Sequence, residues 1–255
     1  MPFLRATCTL SLFGAALAML PPTGERLREC ASWFSRPARL PFAWQALQTA
    51  QRSGDGAEAF ARGQQILDLV PSWTIGHSGI AYRYVLTQDD RGTAAEDAEQ
   101  ARRRLAVALA WLDGARTHAG HREPELLLAA AFLPRMACRQ FPGLEQLLPP
   151  GGAARITDRY FAEIERRFPG PEAHEQRTFL APTLAAALLE AGQRQAAITV
   201  LRDAIERSRE IRDRQLATEW SARILEAARR LAGEPVDLEP VFADPRLEPL
   251  WPYLR

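Results

Sequence analysis

The sequence predicts an all-α protein built from stacked helical hairpins, and three observations carry that prediction. Apolar residues recur at helical period along much of the chain: Ala59, Gly63, Ile66, Leu67 and Val70 fall at i, i+4, i+7, i+8 and i+11, one face of a helix. Glycine and proline punctuate these stripes. Gly54-Asp55-Gly56 and Gly192 supply tight turns, while Pro71, and Gly233 with Pro235, supply stops. Finally, Ala181–Glu206 repeats the pattern of Phe42–Trp73. A hairpin of this size cannot bury its own apolar face, so each copy needs neighbours.

Phe42–Trp73 is the stretch around which the chain is organised. Trp44, Leu47 and Ala50 share one side of its first helix, and Pro71 biases Val70 away from helix and ends the second. Gly54-Asp55-Gly56-Ala57-Glu58-Ala59, followed by Leu67-Asp68-Leu69-Val70-Pro71, resembles the second half of a tetratricopeptide repeat, including the small residue after the turn and the closing proline. Ala181–Glu206 resembles a further copy, with Leu184 and Leu188 in its first helix, Gly192 at the turn, and Ala197, Leu201, Ala204 and Ile205 in its second. Ala59 to Ala197 covers about four periods of roughly 34 residues. The resemblance, to bacterial tetratricopeptide-repeat proteins with an anchor-like N-terminal segment, implies a right-handed α-solenoid of about four hairpins over residues 42–232, closed by a C-terminal capping helix. It implies repeat packing through Trp44, Leu47, Ala59, Ile66, Pro71, Leu184, Leu188, Gly192, Ala197, Leu201 and Ala204. It also implies a role in binding other proteins.

The flanks are read from composition. Residues 1–20 hold Arg5, then an uncharged run from Ala6 to Leu20 ahead of Pro21-Pro22. Three readings stand: a signal anchor using residues 4–20, a signal peptide cleaved after Ala18 at Ala16-Leu17-Ala18, and a short buried helix. The anchor is the leading expectation and places the protein at a membrane as a single-pass chain. Arg26, Arg28, Arg36 and Arg39 after the segment would keep the domain cytoplasmic, whereas a signal-type segment would export it. Residues 21–41, with four prolines, read as a linker, with Trp33 and Phe34 as a cap on the first helix.

Between the two clear copies, a helix is expected over Trp73–Leu86, with Ile80 and Tyr84 on its apolar side. A turn at Asp89-Asp90-Arg91-Gly92 and a capping box, Thr93-Ala94-Ala95-Glu96, then open a helix reaching Gly114. Residues 115–122 read as a polar loop. Leu126–Phe141 reads as a central apolar helix, kinked or broken at Pro134. Thr157–Phe168 is a short helix with Phe161, Ile164 and Phe168 on one face, and Pro182 kinks or starts the next one. Asp213–Ala232 carries the stripe Leu216, Trp220, Ile224, Ala227 and Leu231 and serves as the cap a solenoid requires. Residues 233–255 are proline-rich yet hold Val241, Phe242, Leu247, Leu250, Trp251 and Leu254, so they are expected to pack back on the last helices.

Composition narrows the function. At 255 residues and 47% hydrophobic content the chain can build a core, and a net charge of +1 argues against a dedicated nucleic-acid binder. There is no lysine, so all 32 basic residues are arginine, which suits planar pairing with carboxylates. A coding bias toward alanine and arginine explains that usage equally simply. Cys8, Cys30 and Cys138 are far apart and fit no metal or redox spacing; Arg5-Ala6-Thr7 does not suit a lipidated Cys8.

Candidate chemistry is sparse. His118, His121, Glu123 and Glu125 are the one metal-like cluster, set in a predicted loop without a third histidine. His77, between small residues that permit close helix packing, and His174 read as capped or surface side chains. Arg102-Arg103-Arg104, Glu163–Arg167 and Glu206–Glu210 read as solvated helix faces. A functional alternative places some of these arginines in a concave groove. No phosphate loop, dinucleotide motif, nucleophile elbow or H-E-x-x-H occurs. The sequence therefore predicts no catalytic, metal or cofactor residues, no small-molecule substrate and no nucleic acid. It predicts a membrane-tethered scaffold that binds a protein or peptide. Its rivals are a permanently docked subunit of a membrane assembly and an enzyme on an α/α scaffold.

Overall fold

The computed structural model describes residues 24–87 and 94–255, with side chains omitted for 24–37, 94–96, 171 and 173. The N-terminal segment 1–20, the side chains of Cys8, Cys30, Trp33 and Phe34, the Asp89–Gly92 turn and the Thr93–Glu96 capping box lie outside the described residues. Every regular element among the described residues is helical. The chain divides into two compact units, one ending at Val70 and one running from Pro71 to Arg255.

The first unit is a helical hairpin, α1 (Gly24–Arg52) packed on α2 (Gly56–Leu69). Gly54 turns the chain at φ 75°, and the Asp55 carboxylate caps α2 by accepting the Glu58 N–H at 2.9 Å. The expected linker is corrected here: α1 already begins at Gly24 and runs through Pro37 and Pro41. Leu47 and Ala50 are buried on α1, and Phe60, Gly63, Ile66, Leu67 and Leu69 on α2. Trp44, expected in the packing face, is 42% exposed, because the buried seam follows Leu47 and Ala50 and the indole only borders it. The Val70 N–H closes α2 on the carbonyls of Ile66 and Leu67.

In the second unit α3 (Thr74–Leu86), α4 (Ala94–Ala119) and α5 (Glu123–Gln140) pack mutually. α6 (Gly152–Arg167), α7 (Pro171–Glu190), α8 (Arg194–Ser208) and α9 (Arg214–Leu231) follow, each against the one before. The predicted loop at 115–122 is instead the last turn of α4 plus a 3-10 turn, Gly120–Arg122. Of the kink or break expected at Pro134, the break does not occur: α5 runs through it. Proline leaves the Ala130 carbonyl without its usual donor. The carbonyls on either side are taken by other helices: Ala129 accepts the Tyr82 hydroxyl at 3.0 Å, and Ala131 accepts the Thr157 hydroxyl at 2.7 Å. Neighbouring donors thus hold the loosened turn in place. Pro182 is likewise internal, since α7 begins at Pro171.

The small residues around His77 do not bring helices together. Gly76 makes room for the indole of Trp73, only 2.3 Å from where a Cβ would stand, and Gly79 faces open space. At the α7–α8 turn, Gly192 (φ 73°) and Gln193 donate to the carbonyls of Leu189 and Leu188 at 2.9 and 2.8 Å. That pairing is a Schellman closure, which favours glycine at the left-handed position. Leu184 and Leu188 on α7 and Ala197, Leu201 and Ala204 on α8 are buried, the small alanines permitting close approach of the two helices.

The α5–α6 connection depends on Gly152. Its φ is 54°, and a Cβ there would lie 1.6 Å from the Glu145 Oε1, the atom that caps α6 by accepting the Ala153 N–H at 3.0 Å. Gly152→Ala forces a left-handed alanine and ejects the cap. It is expected to cost about 3 kcal/mol, read as a fall in thermal stability larger than that of Glu145→Ala.

The tail runs through α10 (Glu239–Phe242), a 3-10 turn (Pro245–Leu250) and α11 (Trp251–Leu254). Val241, Leu247, Leu250 and Leu254 are fully buried in the unit's core, with the 3-10 turn on α7 and the short helices on α9. Polar latches reinforce this apolar packing. Arg230 Nε donates to the Leu254 carbonyl at 3.0 Å, and buried Asp244 pairs with Arg246 at 2.7 Å and Arg223 at 2.8 Å. Arg246 foremost, against the opposing effect of burial, holds the Asp244 carboxyl down to about 2.

Candidate functional site

The second unit carries a groove of about 470 Å³ between α5, α6 and the start of α7. Its floor is apolar: Leu128 and Phe132 from α5, Phe161 and Ile164 from α6, and Phe168 just past its end. Phe132 meets Phe161 edge-on at 5.6 Å, which sets how closely the two helices approach there. Pro124 and Gly170 close one end, and Glu172, Glu175 and Gln176 on α7 form a polar rim with Arg212 from the α8–α9 connection. Leu128 is 39% exposed, a large aliphatic side chain left in water between buried Leu127 and Ala129. The Glu175 carboxylate accepts the Arg212 backbone N–H at 3.2 Å and ties the rim to that connection. The first unit has a more open depression of about 460 Å³, beside the exposed ring of Phe42 and the Glu58–Arg62 ion pair.

Beneath one end of the groove lies a network of charged side chains. Arg116 on α4 pairs with Asp113, with Glu123 of α5 at 2.9 Å and with Glu163 of α6; Arg167 joins Glu123 at 2.6 Å and Glu163 at 3.4 Å. The Tyr160 hydroxyl donates to Asp113 at 3.1 Å, and burial, with the Asp113 charge, pushes that phenol up to about 12. Burial opposes the charge of Arg116, but hydrogen bonds to Glu163, Glu123 and Asp113 outweigh it and hold the guanidinium above its ordinary value. The Arg116 hydrogen bond likewise lowers Glu163 against the effect of burial.

Several sequence expectations are corrected by these contacts. Glu163–Arg167 is not simply a solvated face: Glu163 and Arg167 join the network, and Glu165 meets Arg177 at 2.6 Å and His174 at 3.2 Å. Arg104 is buried and donates to the Thr87 carbonyl at 2.7 Å. His77 is buried, with Nε2 at 3.1 Å from the Pro71 carbonyl and its ring 5.0 Å from Trp111. His118 and His121 are exposed, while Glu123 and Glu125 are engaged by arginines. Among the described residues no group of three metal-ligating side chains gathers. Burial foremost, with Glu145, pushes the Cys138 thiol up, away from the reactive thiolate.

Of the residues expected to pack repeats, Leu47, Ile66, Leu184, Leu188, Ala197, Leu201 and Ala204 are buried, Ala59 and Pro71 are half-buried, and Trp44 and Gly192 are exposed. None of them lines the groove. The sequence places Phe161, Ile164 and Phe168 on one helix face; Phe161 and Ile164 are buried, and the part left open, Leu128 with half-buried Phe132 and Phe168, is not marked by that stripe. The available signal was the excess of large apolar residues around α5, more than one buried stripe requires.

Among the described residues no helix is long and apolar enough to cross a membrane. No family model, no curated protein and no solved structure matches the chain.

Proposed function

We propose that the chain is a helical scaffold that binds a protein partner in the α5–α6–α7 groove, its residues 4–20 tethering it to a membrane. The observation that carries this reading is the groove itself: exposed Leu128 and half-buried Phe132 and Phe168 over a closely packed floor, rimmed by Glu172 and Glu175. An apolar floor with a polar rim suits docking of another chain. Consecutive helices packed side by side support the finer architecture, a right-handed solenoid of tetratricopeptide-repeat type. A permanently docked subunit would present a larger and more uniformly apolar face, so the charged rim favours reversible binding.

A photo-reactive phenylalanine at Leu128 tests the groove, with the same probe at exposed Val107 of α4 as the control. In cells, light is expected to yield a discrete adduct with one protein from position 128 and none from 107. Equal labelling at both, or labelling at neither, overturns the docking reading. Membrane fractionation with N-terminal sequencing tests the tether. The expected product is an intact N-terminus in the membrane fraction; a soluble chain, whether intact or starting at Met19, overturns the anchor.

A further inference from the structure

We propose that the occupant of this groove is an amphipathic helix of the partner protein with charged ends, acidic over the C-terminal half of α5 and basic over the start of α7. The inference rests on the docking reading above and adds the chemistry of the ligand. It begins with one stripe. Pro124, Leu128, Phe132, Arg135 and Arg139 stand at i, i+4, i+8, i+11 and i+15 on α5, a single helix face. The first three line the groove; the two arginines extend their line beyond it.

Several arginines of this protein are held by an acid. Arg62, Arg116, Arg167, Arg177, Arg223 and Arg246 each reach a carboxylate. Arg135 and Arg139 reach none among the described residues. Arg135 is half-buried, and burial together with the neighbouring charge of Arg139 pulls its pKa down. Two like charges four residues apart repel each other, and an incoming carboxylate relieves that repulsion.

The opposite end has the opposite sign. Among the described residues Glu172, which is exposed, meets no cation, and Glu175 accepts the backbone N–H of Arg212. Arg212 also lines the groove, so the charged residues of its lining, Glu172, Glu175 and Arg212, sum to a net acid. α6 runs antiparallel to α5, as Arg167 with Glu123 and Thr157 with Ala131 require, so Glu172 and Glu175 lie near Pro124, far from Arg139. Along α5, Pro124 to Arg139 spans about 22 Å, the length of a helix of roughly 15 residues. A free helix is itself most stable with acids in its first turn and bases in its last. The occupant therefore lies antiparallel to α5, its N-terminal acids over Arg135 and Arg139.

Three labelled helical peptides of about 16 residues, sharing one apolar stripe, test this by fluorescence anisotropy against the full chain. One has acidic first and basic last turns, one is acidic at both ends, and one is basic at both. The charge-dipolar peptide is expected to bind about tenfold more tightly than either of the others. Arg135→Glu with Arg139→Glu is expected to transfer that preference to the all-basic peptide. The milder Arg135→Gln with Arg139→Gln is expected to remove the advantage of the dipolar peptide over the all-basic one, without requiring the fold to accept two new acids. Equal binding of all three peptides, still abolished by Leu128→Glu, overturns the charge assignment and leaves the docking reading standing. Binding of none of them overturns both.

Discussion

Trp220→Ala is expected to destabilise the second unit by about 4 kcal/mol, the scale of truncating a large buried aromatic. The indole is fully buried at the centre of the C-terminal core. Phe179 of α7 meets it edge-on at 5.1 Å, and Arg246 of the tail lies 4.8 Å above it. Removing the ring leaves a cavity, takes from Arg246 the nearer of its two aromatic partners, Trp220 and Phe179, and loosens the Asp244 latch that Arg246 makes. The effect should therefore extend beyond α9. Limited proteolysis should cut between residues 239 and 255 sooner in the variant, and urea unfolding should shift to a lower midpoint. Trp220→Phe is the informative companion. The Trp220 Nε1–H is buried without an acceptor, so phenylalanine removes an unsatisfied donor while keeping most of the ring. It should cost about 1 kcal/mol. Equal losses for alanine and phenylalanine would mean that ring volume does not hold the tail in place.

Much of this arrangement was legible in the sequence, and the reason is local. The Gly54-Asp55 turn, the stop at Pro71 and the stripe Trp220–Ile224–Ala227–Leu231 depend on residues a few positions apart, where backbone preference and helical period act directly. What stayed hidden depends on partners distant in sequence. Pro134 reads as a helix breaker because its own missing N–H is visible, whereas the rescuing hydroxyls of Tyr82 and Thr157 come from other helices. Pro37 and Pro41 mislead in the same way, since α1 passes through both. The charged runs mislead most. Glu163, Arg166 and Arg167 read as one solvated ladder, yet Arg166 is exposed while Glu163 and Arg167 turn inward to Arg116 and Glu123, more than forty positions away. The groove was legible only as surplus: α5 has more large apolar residues than its buried face uses, and nothing in the order of those residues says which stripe stays uncovered.

Arg116→Met is expected to cost about 3 kcal/mol at neutral pH, because it strands charge rather than merely deleting a contact. The Arg116 and Glu123 side chains are only 15% and 10% exposed, so water can do little to compensate. Methionine keeps much of the arginine stem's volume, which isolates the electrostatic loss. Glu123 and Glu163 are left sharing Arg167, with exposed Arg166 a further 3.8 Å contact to Glu163. The pH dependence gives the decisive reading. In the folded wild type the Glu163 carboxyl is held below its usual range, chiefly by Arg116. Its contribution is therefore fully present above the unfolded value of about 4.3 and is lost as pH falls through the folded value. In Arg116→Met the largest cause of that depression is gone, so less remains to lose in acid. The gap between wild type and variant should hold from neutrality down to the unfolded value of about 4.3 and narrow as pH falls below it, followed by urea unfolding from neutral to strongly acidic pH. Glu163→Gln added to Arg116→Met should recover part of the loss at neutral pH. A gap that ignores pH would assign the cost to packing instead. The same network ties Glu123, next to groove-lining Pro124, to Glu163, next to groove-lining Ile164. Removing Arg116 therefore weakens the tie between the two walls, which Arg167 still makes to Glu123, and a peptide seated on Leu128 and Phe168 should bind more weakly even where the variant is fully folded.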